Sequence, residues 1–185
     1  MNRLKQYYHN ILEEDLLLKQ NPRNIKKIAK ISTLSLNNSS KNYLIDEKLV
    51  LPNVIAAELL GGQSCKNNRS KKSIANFKLI KGSLVGFQVN FRRNNLYSLL
   101  DKFFLLVITN NKSFDAYSSN QFLESNGITI SIKVPLLFPE FEENYNFFGY
   151  ISAFDLSLSL NSKTKAESAL LLSGFQIPFQ HEVQR

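Results

Sequence analysis

The chain has 185 residues, 43% hydrophobic and 21% charged, a balance that excludes global disorder and fits one folded domain with a core of useful size. Its 23 Lys+Arg against 15 Asp+Glu give a formal charge of +8, which points to a polyanionic partner. The single Cys65 excludes an intramolecular disulfide, no Cys/His group has metal-ligand spacing, and no apolar run nears the roughly 20 residues that cross a bilayer, so no membrane partner is expected.

The opening MNRLKQYYHN lacks the apolar region of a secretory signal, and although no acid precedes Glu13, the cluster Glu13, Glu14 and Asp15 argues against a transit peptide. It reads as the start of the domain. Leu4, Tyr7, Tyr8, Ile11, Leu12 and Leu16 recur at helical intervals over 4–19, and Asn21-Pro22 ends that helix, because proline pushes its predecessor out of helical geometry. Residues 28–37 close on the alternation Thr33, Leu34, Ser35, Leu36, Asn37, a half-buried strand, with Asn38, Ser39 and Ser40 as a polar turn after it. A second helix is expected over 46–60, opened or kinked by Pro52 and stopped by Gly61-Gly62.

The clearest strand is 84–91, with Val85, Phe87, Val89 and Phe91 facing one way and Gln88, Asn90 and then Arg92 the other. A third helix over 95–108 buries Leu96, Leu99, Leu100, Phe103, Phe104 and Val107, with 103–108 as a buried turn, and 110–127 reads as a long surface loop. Residues 128–134 and 153–160 alternate strictly, a last helix is expected over 163–173, and 175–179 reads as extended. Strands with Leu, Ile, Val and Phe on one face and Ser, Thr, Asn and Gln on the other predict an α+β, two-layer fold: an open antiparallel sheet of about five strands with helices packed on one face. The other face is either wet or laid against a ribose-phosphate surface, where hydroxyls and amides meet 2′-hydroxyls and phosphate oxygens.

All of the charge excess sits in residues 61–93. This stretch holds Lys66, Arg69, Lys71, Lys72, Lys78, Lys81, Arg92 and Arg93, with no acid between Glu58 and Asp101; without those eight the chain has 15 cations and 15 acids. Neighbouring cations displace counterions from a phosphate backbone, and the interleaved Phe77, Gln63, Asn76 and Asn90 add stacking and hydrogen-bonding groups. On composition alone, a solvated basic hairpin fits nearly as well.

The ordered residues resemble the universal large-subunit ribosomal protein L-five family, which binds 5S rRNA. Leu4, Tyr7 and Tyr8 match its opening helix, Leu36-Asn37 the end of its first strand, and Gly62-Gln63 the segment after its second helix. Lys72, Ser73, Ile74, Ala75, Phe77 and Lys78 match its basic motif, followed at the family spacing by Gly82, Gly86, Val89 and Arg92. Phe138-Pro139-Glu140 and the closing Glu167, Ala169, Leu170, Leu171, Phe175, Pro178 and Phe179 complete a match from about residue 4 to 179. The resemblance implies one domain over 1–185 whose uncovered sheet face grips 5S rRNA through Asn37, Gln63, Phe77, Asn90 and Arg92. It implies a basic finger loop at 69–82 that touches peptidyl-site tRNA through Arg69, Lys71, Lys72, Ser73 and Lys78. The partners so implied are 5S rRNA, large-subunit rRNA, peptidyl-site tRNA, neighbouring proteins of the central protuberance and a small-subunit head protein.

Three departures bear on those expectations. The family's Arg-rich segment has become Asn110, Asn111, Lys112, Ser113, Phe114, Asp115, Ala116; its Gly-rich hairpin has shrunk to Glu124, Ser125, Asn126, Gly127; and Asn38 replaces a glycine at the end of the first strand. The first two weaken the small-subunit bridge. Such drift, with an Asn-, Lys-, Ile- and Phe-rich composition, is typical of an organelle-encoded protein and places this one in the mitochondrial ribosome, with a bacterial or plastid ribosome as the alternative.

Catalysis is not expected: no nucleophile elbow, phosphate loop or metalloprotease motif is present, and no cofactor is implied. His9 and His181 lie near opposite ends, Cys65 has no histidine nearby and reads as a passive thiol, and Glu140, Glu142 and Glu143 read as a solvated turn. The competing function is an organellar interaction module that keeps the fold but binds no 5S rRNA; an RNA hydrolase is the third class.

Overall fold

The computed structural model describes residues 2–22, 24–108, 117–118, 127–162, 164–177 and 179–180. Among the described residues seven strands form, in chain order β1 (Lys30–Ser39), β2 (Lys66–Arg69), β3 (Leu84–Phe91), β4 (Tyr117–Ser118), β5 (Gly127–Ile132), β6 (Phe154–Asn161) and β7 (Phe179–Gln180). Five of them make an open antiparallel sheet in the order β2-β3-β1-β6-β5, and β4 pairs in parallel with β7. The helices are α1 (Arg3–Tyr7), α2 (Glu13–Gln20), α3 (Val50–Gly61), α4 (Arg93–Lys102), α5 (Pro139–Glu142), α6 (Tyr145–Phe148) and α7 (Lys165–Gly174). This is the α+β architecture that the alternating strands predict. Backbone packing divides the chain into two compact units, one of 1–34, 92–129 and 157–185 and the other of 35–91 and 130–156.

In the first unit the N-terminal helix packs on α4. Asn2 Nδ2 donates to Asn94 O (2.6 Å) and Ser98 Oγ (2.7 Å), and Arg3 pairs with Asp101 at 2.6 Å. The predicted regular helix over 4–19 is interrupted by a π-helical turn over Tyr8–Leu12. The wider turn shifts the stripe: Tyr8, Leu12 and Leu16 are buried, whereas Ile11, counted in the stripe by its spacing, is 55% exposed. Tyr8 stacks on Phe175 with ring centroids 6.1 Å apart and donates its hydroxyl to Ala29 O at 2.9 Å. Helix α7 starts two residues later than expected, because Thr164 takes the N-cap and accepts from Glu167 N at 3.4 Å.

The second unit places α3, α5 and α6 together, with α3 also against β3. Pro52 falls in the first turn of α3, where its missing N–H has no intrahelical partner to lose, so the regular helix opens around it. Gly62 ends it in the left-handed region (φ 61°), its N–H returning to Glu58 O at 2.7 Å. On β3, Phe87, Val89 and Phe91 are buried, and Phe87 meets Phe154 edge to face at 6.3 Å. Each phenylalanine contributes roughly 1.5–3 kcal/mol by leaving water.

Three expectations need correcting. Asn38 and Ser39 belong to β1 rather than to a turn, and Asn38 is buried. The segment Phe103–Ile108 is π-helical and not wholly buried: Phe103 is enclosed, but Leu105 is 50% exposed, since the widened turn rotates it outward. Strand β5 stops at Ile132, short of Val134, because the segment Pro135–Leu137 turns as a 3₁₀ helix. The aperiodic stretch at 110–127 lies outside the described residues except for β4 and the start of β5, as do the departures at 110–116 and 124–126, Pro178 and His181.

Candidate nucleic-acid interface

The basic stretch folds as an edge hairpin. β2 pairs antiparallel with β3, Lys66 opposite Gln88 and Asn68 opposite Gly86, with a register shift between Asn68 and Arg69. Since Phe87 and Val89 point inward, alternation turns Gln88 and Asn90 outward, and cross-strand partners share a face, so Lys66 joins them. Gln88 Nε2 donates to Asn90 Oδ1 at 3.0 Å, so the two outward amides brace each other. Gly86 is required here: a Cβ at that position would lie 2.1 Å from Asn38 O of β1.

The loop between the two strands is closed by its own hydrogen bonds. Ser70 N–H donates to Ser83 O (2.9 Å), Gly82 N–H to Ser70 O (3.0 Å) and Ser70 Oγ to Ile80 O (2.5 Å). Further out, Ile74 and Leu79 exchange both backbone bonds at 3.0 and 3.1 Å around a 3₁₀ turn over Ala75–Phe77, and Lys78 leaves it in the left-handed region (φ 53°). Ser73 Oγ accepts from Lys81 N–H at 3.0 Å, so this hydroxyl also shapes the loop. The tip exposes Phe77 by 62%, beside a groove of about 640 Å³ walled by Ser40, Lys41 and Ile45 across from Phe77, Lys78 and Leu79.

Asn37, Gln63, Phe77 and Asn90 all fall in the 35–91 and 130–156 unit, as does the whole finger with Arg69, Lys71, Lys72, Ser73 and Lys78. Asn37 and Gln63 are half-buried, and no described residue hydrogen-bonds their side chains. Arg92 belongs to the other unit, as the exposed residue preceding α4. All eight cations of 61–93 are exposed, and among the described residues none of them pairs with a carboxylate, whereas Arg3 pairs with Asp101 and Lys19 with Asp15. Cys65 is held away from reactivity: burial and the nearby Glu58 push its thiol up to about 12, and its Sγ donates to Val54 O at 3.6 Å.

Behind Asn37 lies a buried polar network. Asn38 Nδ2 donates to Ser152 Oγ (2.8 Å) and Ala153 O (2.7 Å), and Asn38 Oδ1 accepts the Tyr43 hydroxyl. Tyr43 also meets Ser152 Oγ at 2.8 Å, while Asn53 Oδ1 accepts Ser152 N–H at 2.9 Å and Asn53 Nδ2 donates to Leu49 O at 2.8 Å. The network ties the end of β1 to α3 and to the start of β6. Sequence reasoning missed it, along with Lys41 at the groove, and it counted Lys66 among the cations without recognising the strand β2 that carries it. A short polar strand such as KNNR carries no hydrophobic alternation, and a single buried asparagine carries no periodicity at all.

Among the described residues no three His, Cys, Asp or Glu gather as a metal site, and no helix is long and apolar enough to cross a membrane. The family model for the C-terminus of the ribosomal L5 family matches residues 84–179. The large ribosomal subunit protein uL5m of Reclinomonas americana is 36% identical over 178 residues, covering 96% of this chain and 98% of its own. The uL5m of Prototheca wickerhamii is 33% identical over 192 residues, covering 95% and 82%, and the uL5 of Geobacter sulfurreducens is 29% identical over 181 residues, covering 98% and 100%. An open antiparallel sheet, an acid-free cationic hairpin and full-length similarity to these proteins converge: the chain belongs to the ribosomal L5 family, whose members are structural and non-enzymatic.

Proposed function

We propose that the protein is a structural constituent of the large subunit of the mitochondrial ribosome that holds 5S rRNA in the central protuberance and reaches peptidyl-site tRNA with its basic loop. The observation that carries this reading is electrostatic. Eight cations stand exposed and without carboxylate partners among the described residues, in the same stretch as the outward amides of Gln88 and Asn90, which bond each other, and beside Asn37 and Gln63, whose side chains no described residue hydrogen-bonds. A structure that places cations this way gains nothing from them in stability, since exposed charges contribute little to folding. Phosphate neutralisation is their use.

The work divides between two surfaces. Asn37, Gln63 and Asn90, with Lys66 and Gln88 beside them, supply amides and one cation to a folded RNA surface, where amides can both donate and accept. Phe77 offers an exposed ring to an unstacked base and Arg92 a phosphate contact. Arg69, Lys71, Lys72 and Lys78 form a cationic tip for the tRNA backbone, with Ser73 shaping the loop. Large-subunit rRNA and neighbouring proteins of the central protuberance complete the surroundings.

The test is a salt series on the purified chain with 5S rRNA and with a scrambled RNA of the same length. Preferential binding to 5S rRNA is expected, with log K falling linearly in log salt by about 0.7–0.9 for each phosphate neutralised. Equal affinity for both RNAs would favour the reading in which the fold persists as an interaction module that binds no 5S rRNA.

A further inference from the structure

The helical side of the same unit has the opposite chemistry. Helix α3 is apolar all round, and beyond the residues it buries (Val50, Asn53, Ala56, Ala57, Leu60) it leaves a second stripe in solvent: Leu51 is 60% exposed, Ile55 40% and Leu59 52%. Their spacing of four residues puts them on one line along the helix. Helix α6, which packs against α3, also leaves Tyr145 (61%) and Phe147 (50%) in solvent, and Tyr150 just beyond it is 83% exposed. A helix that is hydrophobic on every side is ordinarily covered on every side.

Charge identifies the cover. Residues 50–62 and 134–152 contain no Lys, Arg or His, but contain Glu58, Glu140, Glu142 and Glu143, of which Glu142 and Glu143 are exposed. The cations nearest in sequence are Lys48 and Lys133, each just outside these segments, and an RNA backbone would meet glutamates within them and no cation. A second copy of the chain, docked isologously, would set glutamate against glutamate between two molecules each carrying +8. We propose that the α3–α6 face docks a cationic amphipathic helix of a neighbouring protein, its apolar side against Leu51, Ile55, Leu59 and the α6 aromatics and its Lys/Arg rim against Glu142 and Glu143. Packing of an amphipathic helix on an apolar face with a complementary charged rim is the mode these features fit.

Two measurements decide it. The full chain is titrated with an amphipathic peptide of about 18 residues, leucine on one face and lysine on the other, and with its twin carrying glutamate for lysine; a helix of that length, about 27 Å, spans the whole of α3. The lysine peptide is expected to bind at least about tenfold more tightly than its twin, and Ile55→Lys with Leu59→Lys to weaken it by about tenfold or more, while thermal unfolding of the variant stays where the parent's is. Equal binding of the two peptides, or binding indifferent to the double substitution, overturns the proposal. In the second measurement, chain carrying a photo-crosslinking residue at Leu59 or Tyr150 is incorporated into large subunits. Crosslinks to a Lys/Arg-rich protein segment are expected; crosslinks to rRNA, to lipid or to a second copy, or none, overturn it. Only this second arm rests on the ribosomal reading: a chain that does not enter large subunits counts against that reading, and the peptide titration still decides this one.

Discussion

The β2–β3 hairpin and the α3–α6 layer belong to one compact unit and divide its surface chemistry between them. On the hairpin, apolar side chains turn inward as Phe87, Val89 and Phe91, and the outer face and tip are rich in cations and amides. On the helices, the interior is satisfied by Val50, Ala56, Ala57 and Leu60, and further apolar residues remain outside on a helix that itself carries no cation. Neither outer surface is explained by folding: exposed lysines contribute little to stability, and the exposed part of a leucine adds nothing to the core. The contrast shows that one scaffold can present a cationic, amide-rich surface and an apolar one, each built from side chains that the core does not use.

The largest effect expected of any single change falls where the hairpin joins β1. Gly86→Val drives a side chain into Asn38 O, which a bare Cβ would already approach to 2.1 Å. It should cost roughly 3 kcal/mol or more in urea unfolding and abolish 5S rRNA binding with it. A variant that keeps its stability but loses RNA would make Gly86 a contact residue instead of a packing one.

Next come two double substitutions that separate the finger from the sheet face. Lys71→Ala with Lys72→Ala should weaken tRNA crosslinking severalfold and lower the salt slope by about 0.7–0.9 for each phosphate no longer neutralised, with stability changed by less than about 0.5 kcal/mol. Asn37→Ala with Gln63→Ala should instead weaken 5S rRNA binding by about tenfold and leave tRNA binding alone. If each pair damages both interactions equally, the two surfaces act as one.

A smaller effect is alkaline. Burial raises the phenols of Tyr8, Tyr43 and Tyr97 above 10.0 and the thiol of Cys65 from 9.0 to about 12, so all four stay neutral in the folded chain at a pH where they ionise in the unfolded one. Their contribution to stability is therefore complete below about pH 9 and is lost as pH rises from there toward 12. Urea midpoints should decline over that window, and Cys65→Ala should soften the start of the decline. The smallest effect is Leu51→Ser on the outer stripe of α3, within about 0.5 kcal/mol of the parent; a loss of several kcal/mol would mean that this stripe is covered by the chain itself.

Much of this is readable from residues alone, for identifiable reasons. β3, β5 and β6 announce themselves because one buried and one solvated face force an alternation of period two, as in Phe154, Leu156, Leu158 and Leu160 against Asp155, Ser157 and Ser159. The finger residues are locatable because like charges can gather only where water or a counter-charge receives them. Asn38 is not locatable in this way. Its neighbours predict a turn, yet its side chain finds Tyr43, Ser152 and the Ala153 carbonyl, partners up to 115 positions away, and becomes a buried strut behind Asn37. The π turn at Tyr8–Leu12 likewise leaves Ile11 outside a stripe that its spacing assigns to the core.

The order of residues by itself determined where the charge excess lies and which strand positions face in, because both are local properties, set by neighbours one or two places away. Which side of α3 is covered was left to the tertiary structure, since a helix apolar all round has no preferred face until another element packs on it. The same holds for Asn38: whether an amide meets water or a buried hydroxyl depends on what distant segments bring to it.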